Sequence, residues 1–180
     1  MLVVLADTHG TDDPRLDGRT AEAVAAADRI VHAGDLTTER VLAALGDRAP
    51  THAVHGNADG AAVRERLPPT RTLTHGGVRI VVTHTHEGGA TALSLLGRSE
   101  GAALVVTGHT HQPSVVEGTP TLLNPGSHAE PRGGPATHAE LRATDAGLAG
   151  EIRSVDGEVI ARIEVEVEGE GEGEESGGGA

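Results

Sequence analysis

The chain contains no Trp, Tyr or Phe among its 180 residues. Whatever it folds into must be held by aliphatic packing alone. Apolar side chains bury at roughly 25 cal/mol per Å², so Val, Leu, Ile and Ala can still build a core, one made of β-branched and Leu contacts without aromatic stacking. The length suits one domain of ordinary size and makes two improbable. Cys is absent too. That excludes disulfides, thiolate metal sites, iron–sulfur clusters and cysteine nucleophiles.

Short apolar runs alternate with Ala-rich stretches. Leu2–Leu5 predicts a buried strand, Thr20–Asp28 a helix capped by Thr20, and Arg29–His32 a second strand. Thr38–Leu45 predicts a helix stopped by Gly46, and Thr51–His55 a third strand. Thr70–His75 and Val78–Thr83, joined by Gly76-Gly77, predict a hairpin. A helix follows at Ala90–Arg98 and a strand at Ala102–Thr107. Shorter strands are expected at Thr121–Leu123, Thr137–Leu141, Gly150–Val155 and Val159–Val167, the last with alternating apolar and acidic positions. A βαβαβ start followed by antiparallel strands predicts an α/β fold with mixed sheets over residues 1–167. Residues 168–180, Glu- and Gly-rich, cannot bury apolar surface and predict a disordered acidic tail.

Twenty-seven acidic residues face 14 basic ones, all Arg, for a net charge of −13. Seven of the acidic residues are the Glu of residues 164–175. An acidic surface without Lys is the composition of a protein kept soluble in concentrated salt, where at ~1 M the Debye length is ~3 Å and self-repulsion is tolerable. A high-GC codon bias produces the same composition. Either way the charge argues against broad nucleic-acid binding. No apolar run approaches the ~20 residues of a membrane-spanning helix, and Leu2–Leu5 is too short for a signal sequence. A soluble, cytoplasmic protein is expected, with homo-oligomerisation left open.

The chemistry-bearing residues collect at strand ends. Asp7-Thr8-His9-Gly10, Gly34-Asp35, Gly56-Asn57-Ala58-Asp59, His84 and His86, and Gly108-His109-Thr110-His111 each follow an apolar strand. In an α/β fold such loops converge on one crevice. Singly, each is an ordinary turn. Five together are hard to explain as five turns. Asp, His and Asn without Cys suit Mn²⁺, Ni²⁺, Fe²⁺ or Zn²⁺, and seven ligands suit two ions that share a carboxylate. The glycines beside Asp35, Asn57 and His109 let the ligands approach one another. His32, His52, His75 and His138 are expected to be structural; His55 and His128 flank the candidate loops and are left unassigned.

Asp-x-His, Gly-Asp, Gly-Asn-x-Asp, Thr-His-x-His and Gly-His-Thr-His, in this order, resemble the calcineurin-like metallophosphoesterase superfamily. The small size and Asn124-Pro125-Gly126-Ser127 are similar to its compact single-domain phosphodiesterase branch. The resemblance covers about residues 1–165. It implies a four-layer α/β/β/α sandwich of two mixed sheets with a dinuclear site at the sheet edge. It also implies one metal on Asp7, His9, Asp35 and His111 and a second on Asp35, Asn57, His84 and His109, with manganese the first expectation. A metal-bridging water, as hydroxide, would attack the phosphorus of a phosphate-ester substrate.

Two positions depart from the pattern. Many members have His after the motif Asn, where this chain has Ala58. The leaving-group acid must then come from elsewhere, and His86 is the nearest candidate. Thr85 stands where Gly is usual between the two histidines. The resemblance thus implies a phosphodiesterase. The alternatives are a protein-binding scaffold, as in relatives resembling the retromer subunit, and a phosphomonoesterase acting on a small metabolite. A scaffold has no need of all seven ligands, and a monoester most needs the acid that Ala58 removes.

Overall fold

A computed structural model of the protein describes residues 1–167; the acidic tail expected over 168–180 lies outside them. The elements in order are β1 (Leu2–Leu5), α1 (Gly18–Ala25), β2 (Arg29–Ala33), α2 (Glu39–Gly46), β3 (Thr51–Val54), α3 (Ala61–Arg66), β4 (Thr70–His75), β5 (Val78–Thr83), α4 (Gly89–Ser99), β6 (Leu104–Val106), β7 (Pro113–Val116), β8 (Thr121–Pro125), β9 (Thr137–Thr144), β10 (Gly147–Ser154) and β11 (Val159–Glu166).

The strands form two mixed sheets, ordered β11-β10-β9-β1-β2-β3 and β4-β5-β6-β8-β7. β1, β2 and β3 run parallel, and β9, β10 and β11 add an antiparallel half. In the second sheet β5, β6 and β8 are parallel, with antiparallel edges at β4 and β7. Alternation along each strand divides its side chains between two faces. Val4, Val31 and Val54 meet Ile80, Val82, Val106 and Leu123 between the sheets. Val3, Leu5 and Ile30 pack outward on Val24 of α1, Val41 and Leu45 of α2 and Val63 of α3. Val81, Val105 and Leu122 pack outward on Leu93 and Leu96 of α4. The result is the expected four layers, α/β/β/α.

Several boundaries differ from expectation. Thr20 does not cap α1. Asp17 does, accepting from the Gly18 backbone N–H, and the Thr20 hydroxyl is spent 2.9 Å from His138 Nδ1 in the interior. Gly46 does not stop α2 but is its last residue, and the following Asp47 keeps right-handed backbone. The hairpin is as expected, with Gly76 and Gly77 at φ +55° and +79°, as a tight primed turn demands. α3 and β7 were not foreseen. α3 has six residues with one buried apolar side chain, and β7 opens with a proline, tolerated because it is a sheet edge.

Candidate metal centre

All the loops named above leave the carboxyl ends of their strands at one edge of the sandwich. β1 feeds Asp7 and His9, β2 Asp35, β3 Asn57, β5 His84, and β6 His109 and His111. The polypeptide there is tightly constrained. Asp7, His9, Asp35, His109 and His111 all have φ between +46° and +71°, a region uncommon for residues with a Cβ. Glycines make room beside them. A Cβ on Gly56 would lie 2.2 Å from Asp35 Oδ1, and one on Gly34 would run into the His84 ring at 2.7 Å.

The side chains converge as two overlapping groups. In one, His111 Nε2 lies 3.4 Å from Asp7 Oδ1 and 3.3 Å from His9 Nε2, with the two rings stacked at 5.0 Å. In the other, His84 Nε2 lies 3.3 Å from Asp35 Oδ2 and 3.1 Å from Asn57 Oδ1, and His109 Nδ1 lies 2.9 Å from the same Asn57 oxygen. Asp35 Oδ2, 3.6 Å from His9 Nε2, stands between the groups. Every one of the seven residues singled out from the sequence is therefore in the cluster.

The ring tautomers give the cluster its chemical meaning. His84 Nδ1–H donates 2.8 Å to the Ala33 carbonyl, and His111 Nδ1–H donates to the Glu130 carbonyl. Both rings are thereby fixed with the Nε2 lone pair pointing at carboxylate oxygens, at an amide oxygen or at another imidazole. With both rings neutral, these are acceptors facing acceptors, the arrangement a cation resolves; otherwise a proton on the His84 ring takes that place, hydrogen-bonded to Asp35. Asp7 Oδ2 is buried and has no hydrogen-bond partner, an orphan of the same kind. Asp7, His9 and His111 offer ligand atoms within 4.8 Å of one another, as do Asp7, Asp35 and His84. The residues present fit divalent ions.

The electrostatics agree. Burial pushes the Asp7 carboxyl up to about 7, aided by the Asp35 charge and opposed by His84. Burial is the largest single influence and works against charge at Asp35 and His84, but their hydrogen bond and charge attraction, together with backbone hydrogen bonds to Ala58 and Ala33 and nearby charges, outweigh it, lowering Asp35 and raising His84. Burial lowers His111.

Residues that sequence reasoning gave no role hold the loops in place. Asp59 is buried and accepts from the backbone N–H groups of Asp35, Thr37 and Gly56 at 3.0, 2.6 and 2.7 Å, locking the β2 and β3 loops together. Ser127 Oγ donates 2.8 Å to the Asp7 carbonyl, and Asn124 Nδ2 donates 2.8 Å to the Gly108 carbonyl. The Asn-Pro-Gly-Ser turn thus braces two ligand loops. Its motif was visible, but nothing in it named its partners. Arg132 stands close enough to lower the pKa values of both Asp7 and His111. His86 is not in the cluster. It is exposed on the loop after His84, and its Nδ1–H donates 2.7 Å to the Glu87 carbonyl. His32 and His138 are buried and bonded to Thr8 and Thr20. His128, left unassigned above, is buried and donates to the Pro14 carbonyl at 2.8 Å, a structural tie.

Comparison with known proteins gives one consistent family. A "probable metallophosphoesterase" of Methanothermobacter thermautotrophicus is 34% identical over 137 residues, 73% of this chain and 79% of that protein. The crystal structure of a "predicted phosphoesterase" from Streptococcus pneumoniae is 26% identical, covers 88% of this chain and 91% of its own, and superposes with a TM-score of 0.67. Vacuolar Protein Sorting 29 of Cryptosporidium parvum, 17% identical, shares the fold with a TM-score of 0.78 over 92% of this chain and 97% of its own. The family model for the calcineurin-like phosphoesterase superfamily domain matches residues 1–146. The chain belongs to the calcineurin-like phosphoesterase superfamily.

Proposed function

We propose that the protein is a metal-dependent phosphodiesterase with two divalent ions, one on Asp7, His9, Asp35 and His111 and the other on Asp35, Asn57, His84 and His109. The observation that carries this reading is the convergence of histidine ring nitrogens on carboxylate and amide oxygens, with Asp35 shared between the two groups. When bound, two such ions place positive charge on the phosphoryl oxygens and acidify water at neutral pH.

The chain's own residues do the rest. The Asp35 carboxylate offsets repulsion between two cations held side by side. The carbonyls of Ala33 and Glu130 keep His84 and His111 in the metal-binding tautomer. Asp59 holds Asp35 and the Asn57 loop in register. Ala58 supplies no proton, and His86, the nearest spare histidine in sequence, stands exposed outside the cluster, so its role as leaving-group acid requires it to reach the leaving oxygen from there. A phosphodiester puts less charge on its leaving oxygen in the transition state than a monoester of the same alcohol, so it makes the smaller demand on that acid. The full ligand set supports catalysis over a scaffold role. Manganese is the first ion to try on the strength of the family resemblance, with nickel, iron and zinc equally compatible with a set of four His, two Asp and one Asn.

An assay in high salt with Mn²⁺, Ni²⁺, Zn²⁺ and Mg²⁺ tests the reading. It should show metal-dependent hydrolysis of bis-p-nitrophenyl phosphate exceeding that of p-nitrophenyl phosphate. Preference for the monoester, or no turnover with any of the ions, would overturn it.

A further inference from the structure

Positive charge is scarce in this chain, with 14 arginines against 27 acidic residues, and nearly all of it is spent. Among the described residues every arginine but two makes an ion pair or a hydrogen bond. The two left over are Arg98 and Arg132. Arg98 lies in the last turn of α4 and lines a cavity with Gly77, Val78 and Ala102, at the amino ends of β5 and β6. The metal centre is at the opposite, carboxyl ends of those strands. Arg132 is on the metal side.

The chain anchors Arg132 there through the residues before it. Ser127 Oγ, which donates to the Asp7 carbonyl, accepts from the backbone N–H groups of Ala129 and Glu130 at 3.3 and 2.8 Å. The Glu130 carbonyl accepts from His111 Nδ1–H. Two residues of chain span at most about 7 Å, so Arg132 starts that close to a residue bonded to a ligand ring. Its charge is felt at both Asp7 and His111. The nearest acidic side chain in sequence does not neutralise it, because the Glu130 carboxylate is taken by Arg15 at 2.9 Å. Arg132 is exposed, and the space beyond it is open: a Cβ at Gly133 or Gly134 would meet nothing within 4 Å. A guanidinium kept unpaired in an acidic chain, at the mouth of a centre built for cations, is free to take an anion that arrives there. Its planar fork matches two phosphoryl oxygens.

Resting on the phosphodiesterase reading, we propose that Arg132 is a substrate-binding residue that holds the non-bridging oxygens of the scissile phosphate from the His111 side of the centre. The test uses the manganese-loaded full chain at 0.1 M and 1 M salt, with Arg132→Gln, Arg132→Lys and, as a control for lost charge alone, Arg98→Gln. Two quantities are read: the affinity for inorganic phosphate by calorimetry and KM for bis-p-nitrophenyl phosphate. Arg132→Gln should weaken both at least about five-fold. The effect should persist at 1 M salt, where the Debye length of about 3 Å removes long-range attraction but not a hydrogen-bonded contact. Arg132→Lys, a point charge without the fork, should recover only part of the loss, and Arg98→Gln should change neither quantity. Metal content and melting temperature should match the unaltered protein in all three. Equal effects of Arg132→Gln and Arg98→Gln, an effect that vanishes at 1 M salt, or a loss of metal in Arg132→Gln would overturn the proposal. If the unaltered protein does not hydrolyse the diester, the phosphodiesterase reading has failed, and phosphate affinity alone then decides. Affinity lost in Arg132→Gln upholds the contact, and affinity absent from the unaltered protein or unchanged in the variant refutes it.

Discussion

Asp7, His9, Asp35, His109 and His111 are held at positive φ, each at a cost of about 1–3 kcal/mol that surrounding contacts must offset. A glycine would relax the backbone but carries no ligand atom, so strain and chemistry fall on the same residues. A further tension lies just behind them. Burial pushes His32 down to about 3 and His128 to about 4, while an unfolded histidine titrates near 6.5. Below that pH the unfolded chain takes up protons that the folded chain refuses. Their contribution to stability is therefore complete above about pH 6.5 and is lost as pH falls toward 4, at up to about 1.4 kcal/mol per pH unit for each ring. Urea unfolding of the metal-free protein should show its midpoint dropping between pH 7 and 5, less steeply in His32→Gln. Identical slopes in the two proteins would refute the assignment.

Packing of α4 on the second sheet depends on one missing side chain. A Cβ at Gly97 would stand 2.4 Å from Pro120 Cγ and 2.7 Å from Val105 Cγ2. Helix propensity alone favours Gly97→Ala by about 1 kcal/mol. Overpacking should prevail, with a net loss of about 1–3 kcal/mol in a denaturant titration; a gain would mean that the helix can lift off the sheet freely. Elements of this kind were legible to different degrees. The strands could be read because runs such as Leu2–Leu5 and Val78–Thr83 are apolar enough to announce themselves, and the Gly76-Gly77 turn because only a primed hairpin needs two such residues. Thr20 misled because a hydroxyl before an Ala-rich run looks like a cap, whereas its partner, His138, lies 118 residues away. α3 and β7 were missed because one buried valine and an edge proline give no periodic signal. The cluster was legible as a group because Asp, His and Asn at strand ends are costly to explain otherwise. Asp59, Asn124 and Ser127 were not, since as turn residues they look alike whether or not they brace a site.

The whole chain carries −13 with no Lys to moderate it. Self-repulsion among exposed carboxylates is screened when the Debye length shrinks from about 10 Å at 0.1 M salt to about 3 Å at 1 M. Thermal melts should therefore rise between those concentrations, and a flat response would leave codon bias as the account of the composition. Four layers built on aliphatic side chains, with ligands confined to loops, also mean that the fold can outlast the loss of a ligand. That independence makes the central claim testable. Metal content measured alongside turnover in Asp35→Asn is the direct test, because Asp35 alone is assigned to both ions. The account predicts a folded protein that holds at least one metal equivalent fewer than the unaltered chain and has lost nearly all activity. Two equivalents retained with near-normal turnover would contradict it.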